Sequence, residues 1–416
     1  MINAYGAIAG LLLAIFLIIK KFNPAYSLIL GSLIGGLLGG ANLTETVDFM
    51  IMGAKGMIPA ILRIITAGVL AGVLIETGSA AKIADTIIKT FGKDKAILAM
   101  IFSTFILTAV GVFIDISVIT VAPIALAVAK KSNITKTAVL IAMIGGGKAG
   151  NIISPNPNAI AAAESFNLPL TSVMFAGIIP AIAGIIITII IAKFLIKKGS
   201  SINDSDIEEI TIELPNLFSS IIGPLVAIFL LALRPIAGII VDPLIALPTG
   251  GVVACIATGK FKHISDYCKV GLSKMSGVAI ILIGTGTVAG IIANSNIKVI
   301  MTAILDSTGA PAFLLAPLAG ILMSAATSST TSGTAVASQV FGPTIIQLGV
   351  EPIAGAAMIH SGATVLDHLP HGSFFHATGG AVNMNIRERL TLIPYESLVG
   401  LTMTIVSTII FGIIGG

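Results

Sequence analysis

Gly145-Gly146-Gly147-Lys148-Ala149-Gly150-Asn151-Ile152-Ile153-Ser154-Pro155-Asn156-Pro157-Asn158 interrupts an apolar run that is otherwise long enough to be a membrane-spanning helix. Pro155 and Pro157 forbid a regular helix there, because proline has no amide proton and its ring clashes with the preceding turn. The amides freed by the break make a helix N-terminus, whose positive dipole end suits an anion. Asn151, Ser154, Asn156 and Asn158 add neutral donors and acceptors. A second stretch, His360-Ser361-Gly362-Ala363-Thr364-Val365-Leu366-Asp367-His368-Leu369-Pro370-His371-Gly372-Ser373, breaks an apolar run in the other half of the chain. Irregular backbone at membrane depth is tolerated only where protein or a water-filled cavity covers it. The expected fold class is therefore an all-α polytopic membrane protein with broken helices.

Working outward, the chain has 416 residues, of which 56% are apolar and only 10% charged. Soluble domains carry about 25% charged residues. Too little charge remains to cover a water-facing surface, which excludes a soluble enzyme, a disordered chain and a nucleic-acid partner. Cys255 and Cys268 cannot make a disulfide framework. The apolar stretch 4–19 has no basic lead and no small-residue cleavage site, so it reads as a retained first helix.

Segments 96–128 and 312–348 are too long for one crossing and carry polar residues midway, so each is expected to be a re-entrant hairpin. The breaks fall within 137–163 and 353–378. A single helix is expected at 277–293. With the N-terminus outside, every lysine and arginine except Lys55, Arg63, Lys148, Arg234 and Lys298 falls on one side. That bias marks the side as cytoplasmic and places both termini on the non-cytoplasmic side of the inner (plasma) membrane.

The expected organisation is scaffold helices in 1–56, a first repeat in 57–196, a cytoplasmic acidic linker in 197–215, further scaffold helices in 216–270, and a second repeat in 271–416. The linker holds Asp204, Asp206, Glu208, Glu209 and Glu213. Ala71-Gly72 matches Ala289-Gly290, Pro123 matches Pro343, and Ala142-Met143-Ile144 matches Ala357-Met358-Ile359, at separations of 218, 220 and 215 residues. The charge map gives the two copies opposite orientations. Inverted repeats with paired broken helices point to a secondary transporter whose site lies near the midplane.

Lys148 is the sharpest single residue, since a cation at the bilayer centre costs at least ~2.5–3.5 kcal/mol. It is expected to meet a substrate carboxylate or to form a salt bridge with Asp115 or Asp367. Residues 326–334 carry seven hydroxyls in nine positions, which makes Ser329, Thr330, Thr331 and Ser332 candidate ligands beside Asn151, Ser154, Asn156 and Asn158. Asp115, alone in an apolar run, and Asp367 with His368 are candidates for ion coupling, histidine being the side chain that titrates near neutrality. His371 and Ser373 complete the candidate substrate site. His360 and His376 are expected near helix ends. The protease signature His-Glu-x-x-His is absent, so no bound metal, no cofactor and no enzymatic activity are expected.

Three segments carry a resemblance. Gly111-Val112-Phe113-Ile114-Asp115-Ile116-Ser117 running to Pro123, Ser154-Pro155-Asn156-Pro157-Asn158 followed by alanines, and Gly362-Ala363-Thr364-Val365-Leu366-Asp367-His368 with Gly372-Ser373-Phe374-Phe375 resemble the gluconate:proton symporter (gluconate permease) family of the ion-transporter superfamily. The resemblance implies a homodimer of scaffold and transport domains moving as an elevator. It also implies a small organic anion as substrate: gluconate or a related sugar acid, driven by a proton or sodium gradient. A cation/proton antiporter, or a carrier of a dicarboxylate, citrate or a D-amino acid, are the open alternatives. Departures from the family pattern are Asn156, Asn158, His371 and the added cation Lys148.

Overall fold

A computed structural model describes residues 2–92, 95–207 and 213–415. Lys93 of the cation pattern and Glu208 and Glu209 of the linker lie outside the described residues, as does the side chain of Lys298. Among the described residues the chain is helical, and its one extended pairing is a bridge between Ile2 and Ser295. Ile58–Glu76, Leu170–Leu195, Leu217–Ala237, Phe261–Ala293 and Ile386–Ile414 are long and apolar enough to cross a membrane.

Both interrupted helices are present. Lys136–Asn151 stops, residues 152–156 turn, and Pro157–Ser165 resumes the path. Pro352–Gly362 stops, and Ser373–Ala381 follows after the longer stretch 363–372. Both hairpins are present as well. Ala96–Ala109 and Ile114–Lys131 meet at a tip where Gly111 takes φ 105°, a left-handed value that favours glycine. Leu315–Thr327 and Thr330–Gln347 meet at Ser328, which is itself left-handed at φ 47°.

One order of elements therefore occurs twice: a long helix, a short helix, a hairpin, an interrupted helix and a closing helix. The short members, Ser79–Phe91 and Ile297–Thr308, fall where no element is expected, and so does Leu43–Lys55. They are short and carry charges, so hydropathy does not reveal them. The long helix expected at 277 begins at Ile264, because Asp266, Lys269 and Lys274 lower its apolar signal without breaking its backbone.

Packing is tight where backbones meet. Ile264–Ala293 lies along both Leu43–Lys55 and Ile58–Glu76. A Cβ on Gly271 would sit 2.0 Å from the Gly68 carbonyl oxygen, and one on Gly53 would sit 2.1 Å from that of Gly286. Such small-residue contacts supply close van der Waals packing between helices in lipid, where the hydrophobic effect supplies none.

The halves also interlock crosswise. Pro157–Ser165 packs on the hairpin helix Thr330–Gln347, and Ser373–Ala381 packs on the hairpin helix Ile114–Lys131. Each interrupted helix thus delivers its outgoing segment to the other half's hairpin, and this draws both breaks and both tips together.

Candidate functional site

Every residue of Lys136–Asn151 is buried. Its glycines are turned to neighbouring helices rather than to open space: Gly145 faces Thr188, Gly146 the Ile101 carbonyl, and Gly150 the Phe105 carbonyl and Thr108. The break itself is organised by Asn156. Its Oδ1 accepts from the amides of Asn158 (3.0 Å) and Ala159 (3.1 Å), capping the resumed helix. Its Nδ2 donates to the Asn151 carbonyl at 2.7 Å and also to the Asn151 side chain. The freed N-terminus is therefore satisfied from within the chain.

The second hairpin tip reaches both breaks. Thr331 Oγ1 donates to Asn158 Oδ1, and Thr330 Oγ1 donates to Asp367 Oδ2, both at 2.5 Å. Ser328 Oγ donates to the Leu369 carbonyl at 2.7 Å, and His371 Nε2 donates to that of Ala326 at 3.2 Å. Between the tips lies a cavity of about 240 Å³. That is small beside drug-sized pockets of roughly 300–1,000 Å³ and suits a small ligand. Asp115 enters it from the first tip, Asn151 from the end of Lys136–Asn151, Ser328 to Thr331 from the second tip, Asp367 from the second break, Ser373 from the start of Ser373–Ala381, and Lys274 from Ile264–Ala293.

Behind this cavity runs a chain of buried charge. Lys148 is 0% exposed. Its ammonium donates to the Thr364 carbonyl at 2.5 Å and to Asp367 Oδ1 at 2.6 Å, and lies 3.0 Å from His368 Nδ1. Of the two expected carboxylate partners, Asp367 is the one that pairs with it. His368 Nε2 lies 3.1 Å from the Ile393 carbonyl and 3.2 Å from Ser397 Oγ. His368 Nδ1 also lies 2.9 Å from Asp367 Oδ1 and 3.9 Å from Glu396. Glu396 is in turn ion-paired with buried Arg389, whose guanidinium stacks 4.6 Å from the Phe375 ring centre. An unpaired buried charge is costly, and here each charge has a partner.

A second cavity, of about 250 Å³, lies between Arg63, Glu164, Arg234 and Asp242. Arg63 bridges Glu164 and Asp242, so much of its polar wall is already an ion-pair network. Neither break borders it, which makes the smaller cavity the candidate site.

A family model described as GntP family permease matches residues 2–414. The chain belongs to the GntP permease family. An uncharacterized transporter of Haemophilus influenzae is 60% identical, covering 99% of each chain. The high-affinity gluconate transporter of Escherichia coli K12 is 23% identical, with 89% of this chain and 90% of that one covered. Among solved structures, the Alcanivorax borkumensis YdaH transporter matches with a TM-score of 0.67 at 16% identity, covering 90% of this chain and 89% of that one, a likeness of fold. This GntP permease is thus a multi-pass membrane transport protein and not an enzyme.

In the permease, the cavity gathers Asp115, Asn151, Ser329, Thr330, Thr331, Asp367 and Ser373 from the sequence-predicted set. Lys148, Ser154, Asn156, Asn158, Ser332, His368 and His371 are not part of its wall. Ser154 Oγ and Asn158 Nδ2 are buried without a hydrogen-bond partner. His376 lies within Ser373–Ala381 and bonds the Pro370 carbonyl, while His360 is buried near the end of Pro352–Gly362. Sequence reasoning missed Ser328, Lys274, Glu396 and Arg389. Ser328 belongs to the same hydroxyl run as its neighbours; the other three carry no local signal. Among the described residues, no three of His, Cys, Asp and Glu converge as a metal-ligand set.

Proposed function

We propose that this permease is a secondary active transporter of a small hydroxycarboxylate, gluconate or a related sugar acid, coupled to a proton or sodium gradient. The observation that carries this reading is the small cavity where the hydroxyl-rich second tip meets Asp115 and the two breaks. Hydroxyls there can give and accept hydrogen bonds, as a polyhydroxylated ligand requires. The name of the E. coli gluconate transporter supports the substrate class.

The buried cluster supports a proton as the coupling ion. His368 Nδ1 lies between the Lys148 ammonium, which can donate to a bare ring nitrogen, and Asp367, which can accept from a protonated one. Both protonation states thus find a partner in place. Because Thr330 of the cavity wall bonds the same carboxylate, occupancy of the cavity and the charge of the cluster are linked.

In this reading the repeated element order is an inverted repeat. Helices in 1–56 and 216–270 form the scaffold of a homodimer in the plasma membrane, both termini are non-cytoplasmic, and hairpins and interrupted helices move together as an elevator. Proteoliposomes test the function: radiolabelled gluconate accumulates when an inward proton or sodium gradient is imposed. No accumulation under either gradient, with proton flux that ignores the organic acid, overturns the symporter reading in favour of an antiporter.

A further inference from the structure

A carboxylate ligand is held more strongly by a cation than by neutral donors, and the cation singled out by sequence cannot serve. Lys148 is fully buried behind Asp367, and its ammonium is occupied by the Thr364 carbonyl, Asp367 and His368. Lys274 is the one cation in the cavity wall, reached from the long helix Ile264–Ala293 one turn before Val278. It is exposed and forms no ion pair or hydrogen bond with any described residue. The wall also holds two carboxylates in different conditions. Both oxygens of Asp367 already have partners within the protein. Asp115 accepts one backbone hydrogen bond, from Ile116 at 2.9 Å, and among the described residues has no ion pair at contact distance, only the attraction of Lys274 from further off.

From this asymmetry we infer that Lys274 binds the substrate's carboxylate while Asp115 accepts from its hydroxyls. This assignment rests on the transport reading above and fixes the ligand's orientation within it. A carboxylate beside Asp115 would be repelled, whereas beside Lys274 it completes a charge-assisted hydrogen bond. Ligand hydroxyls donate well to a carboxylate acceptor, and the second tip offers further hydroxyls on the same wall. Lys274 stands on a different element from the tips and breaks, so the bound anion links the long helix to the hairpin region through its own charge.

The test uses the full-length permease reconstituted in lipid, and compares gluconate with gluconamide, its uncharged amide. Thermal shift and uptake are measured for the wild type, K274M and K274R. K274M weakens gluconate binding and raises its KM by about 10- to 100-fold, the factor a charge-assisted hydrogen bond carries. K274R retains most of the affinity, and gluconamide binding changes little in either variant. The ligand-free melting temperature changes little, since the side chain has no hydrogen bond or close ion pair to lose, only an attraction to Asp115 across the cavity. K274M with undiminished gluconate affinity, or with gluconate and gluconamide weakened alike, overturns the assignment while leaving the transport reading standing. A wild type that binds no member of a panel of sugar acids and hydroxy acids overturns both.

Discussion

The two breaks do opposite work. The first, residues 152–156, is short and closed by neutral groups: one asparagine caps the resumed helix and ties it back to Asn151. The second, residues 363–372, is longer and holds charge, with Asp367 and His368 facing Lys148 from the first half. The comparison shows that a lysine inside the first interrupted helix belongs energetically to the second. The first break sets geometry, and the second supplies the counter-charge that lets Lys148 stay in the interior.

The largest expected effect comes from removing that counter-charge. Asp367→Asn leaves a buried ammonium unpaired, a loss of about 3–5 kcal/mol, read as loss of a monodisperse peak and a collapse in melting temperature. Replacing both partners, with Lys148→Met and Asp367→Leu together, recovers most of the stability but no gradient-driven uptake. An Asp367→Asn protein that melts like the wild type would show that the second break does not carry the charge. Next in size is Asn156→Ala, which strips the cap from the first break and costs about 0.5–2 kcal/mol. Its melting temperature falls moderately while the pH profile of uptake keeps its shape; a shifted profile would erase the division between the breaks.

The smallest effect lies at the start of the first interrupted helix, where Lys136 holds Asp206 of the linker at 2.7 Å. Burial pulls the Asp206 carboxyl upward, but the hydrogen bond from Lys136, the amide of Asn203 and the Lys136 charge outweigh it and leave it below the ordinary carboxylate value. A carboxylate held low stabilises the fold above its unfolded pKa of about 4 and stops doing so as pH falls through its folded value. The melting temperature therefore drops slightly more on acidification in the wild type than in Asp206→Asn. Parallel acid profiles in the two proteins would contradict the pairing.

Much of the frame was legible because lipid makes strong demands on sequence. Pro155, Pro157 and Pro370 mark breaks that no apolar run conceals, and the hydroxyl run at 326–334 marks a tip. The short helices Leu43–Lys55 and Ser79–Phe91 were not legible, since their charges resemble those of loops. The glycines at 145–147 and 150 permit close approach of either backbone or ligand, and each is in fact closed by a neighbouring helix that one sequence cannot reveal. For Lys148, burial cost demanded a partner, but the choice between Asp115 and Asp367 depends on a tertiary contact. Lys274 was hidden for the same reason. It read as one more cytoplasmic cation until the long helix brought it to the cavity wall.

The partners of Lys148 stand 216, 219 and 220 residues further along the chain. At ribosomal speeds of about 5–20 residues per second, that distance is a wait on the order of 10–40 s. Throughout it the nascent first half holds Lys148 without the partners that neutralise it in the folded protein. Biogenesis is thereby ordered: the early helices cannot reach their resting arrangement in lipid until translation has delivered the late ones.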